Sequence, residues 1–159
     1  MDKISEYRDK AARNLHIADH ILTQTYPMLN DPKLLLAVLE NLFLSMNHAL
    51  TCLLHYEEYH GRIPKFSDEF DSKLNMLKLK VAKQNNITPE VVNFLQELKA
   101  KVSAHKKSPL EFARKDRFVI CSDTYQTQVI SAPQLKKDLQ RTKLFLQLVQ
   151  SIIAREAKK

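Results

Sequence analysis

The sequence predicts a mainly α-helical protein, an up-and-down bundle of about five helices with one short β-hairpin before the last. Three observations predict it. The chain of 159 residues has a single glycine and six prolines, too few turn residues for a sandwich or barrel. Apolar residues recur at helical spacing along most of its length. The stretch from Asp31 to Gly61 is apolar around most of its circumference, as a helix contacted from several sides must be. The length suits one domain, residues 1–159.

In the first helix, residues 3–26, Ile4, Tyr7, Ala11, Leu15, Ala18 and Leu22 share one face, with Arg8, Arg13, His16 and His20 mostly elsewhere. Pro27 to Asn30 forms a short turn, so the first two helices make an antiparallel hairpin. The second helix starts with Asp31 as N-cap and Pro32 at the first helical position, where a missing N–H costs nothing. Gly61 closes it and Ile63-Pro64 prevents its continuing. At about 1.5 Å per residue it runs roughly 45 Å. Glu40, Asn41, Asn47, His48, Thr51 and His55 fall on one arc of this helix, with Ser45 at its edge. Glu40, Asn41, Asn47 and His48 would be too costly in hydrocarbon, so a membrane span is rejected and the arc is expected to face water, a partner or a site.

Ser67 caps a third helix with Asp68, Glu69 and Asp71 in its first turn and Phe70, Leu74, Leu77 and Val81 as its stripe. Thr88-Pro89-Glu90 opens a fourth, whose stripe of Val91, Leu95, Leu98 and Val102 extends to His105. Ser108-Pro109-Leu110-Glu111 has the form of a capping box, which predicts a brief helical turn through about Arg114. Phe118 to Cys121 and Gln126 to Ile130 are β-rich runs around a polar turn, the expected hairpin. Ser131-Ala132-Pro133-Gln134 is a second capping box. It opens a last helix with Leu135, Leu139, Thr142, Leu146, Val149 and Ile153 on one face, and the basic tail Arg155 to Lys159 is expected to fray.

The net charge is +7, and its distribution matters more than its size. The first 98 residues are slightly acidic. Residues 99 to 117 hold Lys99, Lys101, Lys106, Lys107, Arg114, Lys115 and Arg117 against only Glu111 and Asp116. Such an excess points to a polyanion, most often nucleic acid; its competitor is a merely solvated basic surface. His105 stands among these cations, which would lower its proton affinity and leave a neutral imidazole beside a bound polyanion. A capping or half-buried helix-end histidine is the alternative. In the hairpin, Phe118 and Tyr125 lie near Arg114, Lys115 and Arg117, so the cations would touch phosphates and Tyr125 could stack a base, unless the aromatics pack onto the bundle.

Cys52 and Cys121 form no C-x-x-C pair, and no secretory apolar segment opens the chain, so an intracellular, cytoplasmic protein with free thiols is expected. His16-x-x-x-His20 and the single Glu57-x-x-His60 are weak metal patterns, because a di-iron site needs a second E-x-x-H. One glycine excludes Gly-rich phosphate loops, and no nucleophile elbow appears. Neither metal nor cofactor is expected.

The long second helix, through SMNHALTCLLHYEEYHGRIPKF, and the fourth, ending ELKAKVSAHKKSPLEF, together resemble the HEPN domain superfamily (higher eukaryotes and prokaryotes nucleotide-binding). Many of its members are metal-independent RNases, often dimeric, whose motif is an arginine, four to six residues, then a histidine at a helix end. By this resemblance His105 takes the histidine place and Lys99, with five residues between, the arginine place; Ala100 follows where active members usually have a polar residue. Lysine supplies charge but no bidentate fork, so the resemblance implies RNA or ribonucleoprotein binding ahead of cleavage. Other members partner nucleotidyltransferases or serve as noncatalytic assembly modules. The second reading is therefore a protein-interaction module, a homodimer or a nucleotidyltransferase partner of toxin-antitoxin type. The third is a metal-independent endoribonuclease using His105 and Lys99. The RNA reading requires one wall of cations around a single imidazole.

Overall fold

The structure, a computed structural model, describes residues 2–108, 110–114, 117–122 and 126–157. Among the described residues four helices surround a long central one, and a three-stranded antiparallel sheet precedes the last. Helix α1 spans Asp2–His20 and continues through a π turn, Ile21–Thr25, into a last turn, Tyr26–Leu29. Helix α2 is Lys33–Tyr59 and α3 is Phe70–Met76, extended by a second π turn, Leu77–Val81. Helix α4 is Pro89–Lys107. Strands β1 (Leu110–Arg114), β2 (Arg117–Cys121) and β3 (Thr127–Ser131) lead into α5, Ala132–Ala157.

The ends of α2 follow local chemistry. Asp31 Oδ1 accepts the Lys33 N–H at 3.0 Å, and Gly61 leaves the helix at φ +71°. No atom lies within 4 Å of a Cβ added there, so it is the backbone angle that calls for glycine. Leu35, Leu39, Leu42, Met46, Leu50, Leu53 and Leu54 are fully buried, and α1, α4 and α5 all pack on α2. By length and composition α2 could cross a membrane, but 56% of that window is buried inside the bundle.

Pro27, expected to end the first helix, lies inside it. In the π turn before it, the Tyr26 N–H bonds Ile21 O five residues back. This widened turn meets proline where an ordinary turn would lose a hydrogen bond and clash. Asn30, at φ 50°, closes the helix by donating its N–H to Tyr26 O at 2.7 Å.

Much of the polar arc of α2 is covered rather than presented. Ser45 Oγ donates to Ala11 O at 2.7 Å, and Asn14 Nδ2 to Asn41 Oδ1 at 3.1 Å. Thr51 accepts from Lys73 Nζ at 3.0 Å, and the same ammonium, only 3% exposed, pairs with Asp68 at 3.2 Å. His48 and His55 pack on Tyr7, with ring centroids 5.8 and 5.5 Å away.

The segment from Leu110 to Arg114 is a strand, not the helical turn expected from its capping-box pattern. Its antiparallel pairing with β2 runs along its whole length and satisfies the backbone groups on that side, which outweighs a local side-chain cap. Ser108 Oγ donates to Cys121 O at 2.8 Å instead of capping a helix. The single hairpin expected is thus two hairpins sharing β2, in the order β1-β2-β3. Phe118, Ile120 and Ile130 point into the core, so Arg117 and its cross-strand neighbours lie on the outer face. At the start of α5, Ser131 Oγ accepts the Gln134 N–H at 3.3 Å. The Gln134 side chain turns forward to Asp138 at 3.0 Å rather than back to Ser131.

Candidate nucleic-acid interface

His105 lies in the last turn of α4, a quarter exposed. Its Nδ1 is 2.8 Å from Glu111 Oε1 on β1, and its Nε2 is 3.6 Å from Glu40 Oε1 on α2. Carboxylates, not the expected cations, face both ring nitrogens. A phosphate approaching the ring would meet two anions. What this arrangement does is clasp three elements together. Glu40 is remote in sequence and Glu111 was assigned to a helix cap, so neither was legible as a neighbour.

The two lysines expected beside His105 face different elements. Lys99 Nζ lies over the rings of Phe43 and Phe70, 5.5 and 5.7 Å from their centroids, a cation–π arrangement that anchors α4 to α2 and α3. Lys101 is turned about 200° away on the helix, and its charge acts on Asp138 of α5. Burial raises the proton affinity of that Asp138 carboxyl, against the lowering effects of Gln134, Lys101 and Arg141. Lys99, Lys101 and His105 do not form one wall.

The remaining cations are arranged differently. Lys106 and Lys107 are exposed in the last turn of α4, where they complement the negative end of its dipole. Arg114 and Arg117 are exposed and directly opposite each other across β1 and β2, and Arg117 is directly opposite Ser131 across β2 and β3. Residues directly opposite share a face, so both guanidiniums leave the outer face of the sheet in one row that ends at the cap of α5. The positive end of that 26-residue helix adds to the row. Sequence reasoning saw the arginines but not their register; the signal was Lys115-Asp116, two polar residues between β-rich runs. Lys115 and Tyr125 lie outside the described residues. Phe118 is buried at 6% exposure, so it packs on the bundle and stacks no base.

The sequence patterns weighed for metal also resolve. Glu57 is buried at 1% and receives Arg62 Nε at 2.6 Å and Asn85 Nδ2 at 3.2 Å, which joins the end of α2 to two later turns. Among the described residues, no group of three or more His, Cys, Asp or Glu could hold a metal ion. Cys52 and Cys121 are free thiols, both buried; the Cys52 Sγ donates to Ile4 O at 3.3 Å. In comparisons with known proteins the chain matches no family model, no curated protein and no solved structure.

Proposed function

We propose that the chain, although it lacks the wall of cations around His105 that the RNA reading required, is an RNA- or ribonucleoprotein-binding module of narrower footprint, whose phosphate contacts come from Arg114 and Arg117, with Lys106 and Lys107 contributing charge, and that it works without cleavage. The observation supporting this reading is the row Arg114, Arg117, Ser131 at the positive end of α5. Both arginines are exposed and stand on one face of the sheet. Guanidiniums and a helix N-terminus are both phosphate-binding groups. The HEPN resemblance would then extend to the helical frame and to binding. The catalytic pair it implies is split, since Lys99 is over aromatic rings and His105 is between carboxylates.

The test is RNA affinity by fluorescence anisotropy across a potassium chloride series. Binding should weaken steeply with salt, and Arg114→Ala and Arg117→Ala should each reduce the slope of log Kd against log salt by about 1. Lys99→Ala and His105→Gln should leave the slope as it is. Salt-independent affinity, or a double arginine variant that binds like the parent, overturns the proposal. RNA incubated with the protein in EDTA should stay intact; cleavage abolished by His105→Ala would restore the nuclease reading.

The second reading, a protein-interaction module, is favoured by a different observation. An apolar cleft of about 620 Å³ opens between α4 and α5, on a flank bearing none of the arginines of the hairpin.

A further inference from the structure

Helices α4 and α5 both pack on α2 but scarcely on each other. Between them lies the cleft, with Met46, Val91, Phe94, Phe145 and Leu148 along its floor and walls. Helix α5 is therefore apolar on two seams. Leu135, Leu139, Phe145, Leu146 and Val149 are buried in the core, while the exposed Leu144 and the half-buried Leu148, four residues apart, stand at the cleft with Phe145 beneath them. Leu144 is 64% exposed, a large apolar side chain at a rim with no described element covering it.

The charges along the rims choose the occupant. On the α4 rim stand Glu90 and Glu97, both exposed and seven residues apart, two turns or about 10.5 Å along one face. On the α5 rim Arg141 is already engaged: its guanidinium lies 5.5 Å from the Phe94 ring centroid, with Asp138 at 3.9 Å. The acidic rim repels nucleic acid and favours a cationic partner.

We propose that this cleft docks an amphipathic helix of another protein, with an apolar stripe set into the floor and Lys or Arg seven residues apart facing Glu90 and Glu97. The proposal rests on the protein-interaction reading and is independent of the RNA contacts at the sheet. Helix-in-groove recognition needs this combination, an apolar trough read at i, i+3, i+4 and i+7 with charge along one side fixing orientation.

The experiment uses the full chain and two synthetic 18-residue helical peptides with the same leucine stripe, one carrying Lys at two positions seven apart, the other Glu. In fluorescence anisotropy at low salt the Lys peptide should bind at least tenfold more tightly than the Glu peptide. Leu144→Glu should lose that binding, and Glu97→Lys should shift the preference toward the Glu peptide. Circular dichroism should find both variants as helical as the parent, because both positions are exposed. Equal binding of the two peptides, or of neither, overturns the proposal. So does light scattering that finds a dimer abolished by Leu144→Glu, which would give the cleft to a second copy and keep the interaction-module reading.

Discussion

The two flanks of α2 are closed by different means. Toward α1 the contact is interlocked by polar atoms: Ser45 reaches Ala11 O, Cys52 reaches Ile4 O and Asn14 reaches Asn41, while His48 and His55 lie against Tyr7. Toward α4 and α5, beyond the His105–Glu40 and Lys99–Phe43 contacts, the contact is side-chain packing that stops short of closure and leaves the cleft. The difference teaches where this bundle is committed to stability and where it keeps surface for something else. A buried polar bond fixes one register and is expensive to break, whereas an apolar trough can be opened or filled at little cost to the fold.

The largest test of that contrast is Leu50→Ala. Leu50 is fully buried on α2, and its truncation should cost about 2–5 kcal/mol in urea unfolding, the range for a cavity that relaxes only in part. Next comes Ser45→Ala, which removes a second, interhelical donor from the helical carbonyl of Ala11 and should cost about 0.5–1.5 kcal/mol by the same measurement. A loss below a few tenths would mean that the α1 flank is not interlocked as described.

Acidity should act on the same flank. Burial, with Lys10 and Lys73 adding to it, holds the proton affinity of His48 below its usual value of 6.5; burial does the same for His55 against the opposing pull of Glu58. Below about pH 6.5 the unfolded chain therefore binds more protons than the folded one, so stability falls as pH drops through that value toward the lowered folded ones. The urea midpoint should be lower at pH 5.5 than at pH 7.5, and a His48→Gln, His55→Gln double variant should flatten the difference. Asp138 has the opposite sign: its raised folded value lets acidification stabilise the chain, but in the window just above the carboxylate's usual 3.8. The smallest effect belongs to the open flank. Leu144→Ala should change stability by no more than about 0.5 kcal/mol; a core-sized loss there would mean that the cleft is part of the core.

What could be read from sequence divides along the same physical line. Asp31-Pro32, Gly61, Thr88-Pro89 and Ser131 mark boundaries because capping is decided by adjacent residues, and the α4 and α5 stripes are legible because helical period is local. The strand at Leu110 is not legible in the sequence because its backbone partners come from β2, whose pull no local motif records. Pro27 failed for a related reason, since a π turn is not written in propensities. For the candidate interface, residue types were visible and directions were not. Seven cations in nineteen residues look like one face in a linear count, yet helix geometry turns Lys99 and Lys101 about 200° apart, and Glu40 approaches His105 from another helix. Only the arginine row survives as a unit, since antiparallel pairing places both arginines on the same side of the sheet.

The two π turns have one more consequence. Each takes in an additional residue without interrupting the helix, which sets everything downstream back by about 100° relative to an unbroken α-helix. That rotation sets the angle at which Tyr26 enters the interior, 7% exposed, while Met28 and Leu29 stay outside at 82% and 65%. Wound as an unbroken α-helix, the same residues would turn Tyr26 away from the interior, whereas excising one residue between Ile21 and Thr25 would straighten the turn and keep the downstream faces as they are. The surplus residue in each span thus decides which side chains downstream face the core.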